Sequence, residues 1–265
     1  MSGSFDEEAE RRYRAPALDK GLDILERLAT IEEGLTQIEL AKSLNRSPNE
    51  IYRMLDRLVR RGYVLRSLTD RYTLSLKLFA LGHQHPPLRR LVAQAVPVMR
   101  RFAEDAGQAC HLAVYQRGLV AVVAQVDAPS YWSLALRAGA QLDPLESASG
   151  HVLLAFQAAS VRASMLAECA AAPPGLEVRL DMICERGHAV RDSPEQRGVT
   201  MLAAPVLGTD GGAAAALACP YVAPRAGGAS QERVVALLCA AGASLSLAPR
   251  NACSASAATA SARSA

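Results

Sequence analysis

The chain has 265 residues, half of them apolar and 21% charged, with a net charge of +3. That balance excludes global disorder, and no apolar run reaches the ~18 residues of a membrane span. The polar start MSGSFDEEAERRYR lacks the apolar core of a signal peptide, so a cytoplasmic location is expected. Charge is uneven along the chain. Residues 11–90 hold sixteen Lys/Arg against nine Asp/Glu, whereas residues 91–265 hold thirteen of each. A basic front on a neutral rear points to a polyanion at the front and another task behind.

Residues 1–15 read as a disordered arm. Ala17–Thr30 has Leu18, Leu22, Ile24, Leu25 and Leu28 at helical spacing after Pro16. Thr36 is an N-cap whose capping box closes on Glu39, opening a short helix with Ile38, Leu40, Ala41 and Leu44 inward. After Asn45-Arg46, the run Ser47-Pro48-Asn49-Glu50 caps a second helix with Pro at its first position, ending at Gly62. Its inward stripe is Ile51, Met54, Leu55, Leu58 and Val59. The outward stripe holds Asn49, Glu50, Tyr52, Arg53, Asp56, Arg57 and Arg60. The period then switches to two over Tyr63–Arg66 and Arg71–Leu74, a hairpin with a charged tip.

Helix, turn, capped helix and hairpin make a winged helix-turn-helix over residues 16–74. Segment 46–71 holds seven Arg and three acids, and a helix of this kind fits the major groove of double-stranded DNA. Asn49, Tyr52 and Arg53 are assigned to bases, and Arg46, Arg57 and Arg71 to backbone. Thr36, Ser47 and Glu50 complete the candidate DNA-binding set. Winged helices also bind proteins, so the fold does not by itself settle the partner.

Residues 75–87 read as a linker: an apolar helix over Ser75–Gly82 and a hinge at His83-Gln84-His85-Pro86-Pro87. The two histidines diverge on a helix and do not spell a metal site. An amphipathic helix follows over Leu88–Ala106, then strands His111–Tyr115 and Leu119–Gln125. Cys110 and His111 are adjacent on a strand and point to opposite faces, so they are not paired for catalysis. The six cysteines lack ligand spacing, which argues against zinc and against a disulfide framework and for small buried thiols.

Residues 142–150, LDPLESASG, run into the apolar segment His151–Phe156 as a loop entering a helix N-terminus, a place suited to anions. Ser147, Ala148, Ser149 and Gly150 stand at that terminus, and the pattern alone fits an ordinary capped helix as well as one wall of a ligand pocket. Val199–Leu207 and Ala213–Pro220 flank GTDGG, a hairpin rather than a phosphate loop. Alternation sets Met201 with Ala203, and Ala218 with Pro220. Gln231–Ala248 is a closing helix, and residues 250–265 read as a disordered tail.

The run LTQIELAKSLNRSPNEIYRMLDRLVRRGYVLRSLTDRYTLSLKLFALG resembles the DNA-binding half of IclR-type bacterial transcriptional regulators, through Arg53, Leu55, Leu58, Gly62, Tyr63, Tyr72 and Leu74. The rear matches too, in Gly150–Phe156, Ile183-x-x-Arg186-Gly187-x-Ala189, Gly198-Val199 and Ala203–Val206. The series is collinear from Pro16 to Ala248. The resemblance implies an α+β fold: winged helix-turn-helix, linker helix, and an effector-binding domain (88–249) on a curved antiparallel sheet. It implies a homodimer or homotetramer on an operator and a small-molecule effector; repressors and activators both occur, and repression is the expectation taken here. It also implies that the loop at Ser147–Gly150 holds the effector's polar head. Relatives often carry serines where this chain has Ala218 and Pro220, and Arg191 or Asp192 takes another polar place. A wall of Met201, Ala218 and Pro220 suits a hydrophobic or aromatic body with one polar, carboxylate-bearing end.

No cofactor, metal or membrane partner is expected. The rival readings are a two-domain enzyme with a hydrolytic rear pocket, for which no GxSxG, HExxH or Walker loop is present, and a scaffold that senses nothing.

Overall fold

The computed structural model describes residues 15–224 and 227–249. The chain divides into two units between Pro86 and Pro87. The arm and tail read from the sequence lie outside the described residues, apart from Ala15.

The front unit runs α1 (Pro16–Ala29), β1 (Leu35–Thr36), α2 (Gln37–Ser43), α3 (Pro48–Arg60), β2 (Val64–Arg66), β3 (Arg71–Leu74) and α4 (Lys77–Gln84). The capping boxes form as the spacing requires. Thr36 Oγ1 accepts from the Glu39 amide at 3.3 Å, and the Glu39 carboxylate accepts from the Thr36 amide at 2.9 Å. Ser47 and Glu50 repeat the exchange at 3.4 and 2.9 Å. Each closes two backbone donors that a helix start leaves open. These backbone bonds, first Thr36's and then Ser47's, hold the Glu39 and Glu50 carboxyls below their ordinary range.

The core joins Ile24, Leu28, Leu40, Ala41, Ile51, Leu55, Val64 and Tyr72. Ile38, expected to face inward, is instead exposed (72%), and so are Leu18 (61%) and Leu22 (46%) of the apolar series on α1. The reason is size: eight buried side chains cover the second half of α1 and one side of the seven-residue α2, so apolar residues beyond that reach stay wet. The sheet order is β1-β3-β2, with Leu35 opposite Tyr72. The two-residue β1 was not legible in the sequence. Gly34 makes it possible: at φ +72°, its missing Cβ would lie 2.6 Å from the Tyr72 carbonyl.

The predicted five-residue hinge is shorter in the structure. Helix α4 continues to Gln84, only His85 is extended, and α5 (Pro86–Ala106) starts at once. Proline pushes the residue before it out of the helical region but is itself at home in a helix's first turn, so Pro86 breaks one helix and begins the next.

The rear unit adds β4 (Cys110–Gln116), β5 (Leu119–Val126), β6 (Gln141–Leu142), α6 (Ala148–Ala155), α7 (Ala159–Ala167), α8 (Leu176–Arg186), β7 (Ala189–Asp192), β8 (Val199–Leu207), β9 (Ala213–Val222) and α9 (Gln231–Leu245). Six antiparallel strands lie in the order β6-β5-β4-β9-β8-β7. Alternation splits the strand residues between two cores. Leu112, Leu202 and Leu217 pack with Met99 and Phe102 of α5 and Leu238 of α9. Ala113, Ala203, Ala216 and Ala218 pack with Val152, Leu153 and Leu154 of α6 and Leu180 of α8. The small alanines let α6 approach the sheet closely.

Cys110 and Cys219 are buried free thiols as expected; burial pushes the Cys110 thiol up to about 12 and Cys219 in the same direction. Cys184 departs from that expectation, being disulfide-bonded. Among the described residues, no helix is long and apolar enough to cross a membrane.

Candidate DNA-recognition helix and effector cavity

Helix α3 turns Ile51 and Leu55 into the core and leaves Asn49, Tyr52, Arg53 and Arg57 exposed. Arg53 and Arg57 have no ion-pair or hydrogen-bond partner among the described residues. Arg60, by contrast, is held by Asp56 at 2.8 Å. Two arginines assigned to DNA backbone are tied internally. Arg46 donates to Asp23 at 2.9 Å, and Arg71 donates to the Gly34 carbonyl at 2.9 Å and reaches Glu39 at 3.5 Å. Thr36, Ser47 and Glu50 are spent on capping, with Lys20 also on Glu50 at 3.3 Å. The predicted set therefore separates into a free stripe (Asn49, Tyr52, Arg53, Arg57) and a group that fixes its pose. At the wing, Arg66 pairs with Asp70 at 2.8 Å and lies 5.7 Å from the centre of the Tyr72 ring.

In the rear unit a cavity of about 460 Å³ opens at the N-terminus of α6. Ser147, Ala148, Ser149, Arg191, Asp192, Met201 and Pro220 line it, and strand register sets Met201 directly opposite Pro220. The Ser147 hydroxyl caps α6 by accepting from the Gly150 amide at 3.1 Å. The amides of Ala148 and Ser149, at the first two helical positions, have no intrahelical acceptor and remain for a ligand.

Two predicted residues do not reach the cavity. Ala218 is fully buried, one register step deeper than Pro220, opposite Ala203. Gly150 packs on the loop: a Cβ there would lie 2.3 Å from the Pro144 carbonyl oxygen. Arg191, meanwhile, is not a free cation. It pairs with Glu146 and donates toward the Leu145 carbonyl at 3.4 Å.

Sequence reasoning missed Leu134, Leu136 and Arg137 from the connection between β5 and β6, and Ser193 and Gln196 beyond β7. Irregular segments carry no periodicity to reveal which side chains converge. It also missed the partner of Ser149. His111, fully buried, sets Nε2 3.4 Å from Ser149 Oγ, while its Nδ1 has no hydrogen-bond partner. Burial lowers its pKa to about 4, so the ring is neutral. As alternation requires, Cys110 faces the opposite core.

A helix presenting free arginines beside a three-stranded wing, in one unit, and a largely apolar cavity at a helix N-terminus in another define a ligand-responsive DNA-binding regulator. The chain matches the IclR helix-turn-helix domain over residues 17–67 and the bacterial transcriptional regulator IclR C-terminal domain over 88–247. It belongs to the IclR family and is a transcriptional regulator rather than an enzyme. It is 29% identical over 212 residues to the HTH-type transcriptional regulator BhcR of Paracoccus denitrificans, covering 76% of this chain and 75% of that one. Against the glycerol operon regulatory protein of Streptomyces griseus it is 29% identical over 199 residues, covering 72% and 78%. Among solved structures, an IclR homologue from Microbacterium hydrocarbonoxydans complexed with 4-hydroxybenzoate shares the fold at TM-score 0.73 and 22% identity, covering 86% of this chain and 97% of that one. HmgR of Pseudomonas aeruginosa gives 0.67 at 25% identity, covering 87% and 99%.

Proposed function

We propose that the protein is a cytoplasmic repressor that binds a two-half-site operator as a homodimer or dimer of dimers, and that a small acid with an apolar or aromatic body controls that binding. Asn49, Tyr52 and Arg53 meet base edges, Arg57 meets phosphate, and Arg46 and Arg71 hold α3 and the wing in position. The cavity carries the effector reading. Met201, Pro220, Leu134 and Leu136 supply an apolar wall, while Ser147, Ser149 and the α6 amides supply polar groups at one end. Its volume falls within the roughly 300–1,000 Å³ of small-molecule sites. In the neutral His111 tautomer that carries its proton on Nε2, that N–H donates to Ser149 Oγ and leaves the serine hydroxyl free to donate to the ligand. An IclR-type fold complexed with 4-hydroxybenzoate is an instance of the ligand class envisaged.

The test is fluorescence anisotropy on the promoter fragment upstream of the gene, with thermal-shift screening of aromatic acids against simple aliphatic oxo acids. Specific binding relieved by an acid that also raises Tm is expected. Failure to bind the fragment at low ionic strength overturns the regulator model for this promoter; stabilisation by aliphatic oxo acids alone overturns the apolar-effector assignment.

A further inference from the structure

A second cavity, of about 450 Å³, lies beyond Arg191, and the arginine and its neighbour Asp192 line both. Its chemistry differs from that of the first. Helix α8 contributes Arg179, Met182, Ile183 and Arg186, whose i, i+3, i+4, i+7 spacing is one helical face. His151 of α6, His188 and Arg191 complete the ring, and Asp192 is the one carboxylate among the lining residues. Arg191 is neutralised by Glu146, but Arg179 and Arg186 have no ion-pair partner among the described residues. Arg191 Nη1 lies 3.3 Å from His151 Nε2, and, after burial, Arg191 and Arg179 both press the His151 pKa down. Asp192 is itself engaged as an acceptor for Thr200 Oγ1 at 3.4 Å.

Like charges gathered in a concave site repel unless an anion sits between them, and the planar fork of arginine matches phosphate and carboxylate oxygens. Met182, Ile183, Ala189 and Val190 give the lining an apolar part and Asp192 one carboxylate, but its two uncommitted charges are the guanidiniums of Arg179 and Arg186, which call for an anion rather than an apolar effector. We propose that the cleft between α8 and β7 is a separate binding site for a small polyanion, a metabolite carrying two or more charges as phosphate or carboxylate groups. The site goes beyond the effector cavity and does not require it.

The experiment titrates sodium pyrophosphate and citrate into the full-length protein at matched ionic strength, with chloride and acetate as controls, by calorimetry and thermal shift. Saturable binding of one pyrophosphate or citrate per chain is expected, with acetate ineffective. Arg179→Ala/Arg186→Ala should weaken it at least about tenfold, and Arg179→Lys/Arg186→Lys should fall between, because lysine keeps charge but loses the fork. Tighter pyrophosphate assigns a phosphate compound, and tighter citrate a polycarboxylate. Absence of saturable binding overturns the site, as does unchanged affinity in the alanine pair. Loss of random-duplex binding in that pair would make the cleft a nucleic-acid contact, and a shift to monomer would make it a seat for a second copy; either result overturns the proposal. Arg53→Ala should keep polyanion binding while losing the operator, so the two proposals fail separately.

Discussion

Gly150 shows how a single hydrogen in place of a methyl group shapes the rear cavity. The Pro144 carbonyl carbon, oxygen and Cα all lie within 2.6 Å of where a Cβ would stand, and all are backbone atoms that cannot swing aside. Gly150→Ala should cost about 1–3 kcal/mol through overpacking and blunt the effector response by shifting the 143–147 loop. Thermal denaturation with and without effector reads both; an unchanged Tm would mean the loop yields freely. His111 sets a pH dependence. Its ring is held neutral by burial, with a folded pKa of about 4 against 6.5 unfolded. The unfolded chain therefore binds more protons between those values. The stabilising contribution is complete above about pH 6.5 and declines as pH falls toward 4, on the order of 3 kcal/mol in all. Urea denaturation from pH 7 to 4 should show this slope, flattened but not abolished in His111→Gln, because His151 is depressed in the same direction. An identical slope in the variant would assign the effect elsewhere.

At the scale of elements, α3 combines what is local with what is not. Its start at Ser47-Pro48 and the exchange with Glu50 involve residues three apart, so short-range chemistry alone predicts them. The engagement of Arg46 by Asp23 and of Arg71 by Gly34 spans 23 and 37 residues and was invisible to spacing. That difference changes which arginines are free for DNA. Arg53→Ala should lose about 1–3 kcal/mol of discrimination between operator and random duplex. Arg57→Ala should weaken both equally and reduce the salt slope by about one. Equal loss on both duplexes for Arg53→Ala would remove it from base contact. In the rear unit, the β8–β9 hairpin and the shared faces of Met201 with Ala203 and Ala218 with Pro220 were readable, whereas the Met201–Pro220 pairing came from the strand register. The connection between β5 and β6 was not readable, although it supplies Leu134, Leu136 and Arg137 to the cavity.

For the whole molecule, the division at Pro86/Pro87 separates a basic DNA-reading unit from a neutral sensing one, as the charge asymmetry implies. A dimeric reader demands half-sites on one face of the duplex, about 34–36 Å or one helical turn apart. Inserting about half a turn between half-sites should abolish tight binding and a full turn should restore part of it, measured by anisotropy on designed duplexes. Indifference to the insertion would contradict paired reading.

What the sequence determined by itself was set by short-range pattern: the caps, the wing's hairpin, the inward stripe of the recognition helix, the hairpin strands and, through a collinear series of such patterns, the family. Tertiary structure alone decided which side chains remain uncommitted. Burial and ion pairing are properties of a packed neighbourhood, which is why Leu18, Leu22 and Ile38 stay in water, Ala218 and Gly150 withdraw into the core, His111 comes to Ser149, and Arg179 and Arg186 line a cleft without an ion-pair partner among the described residues.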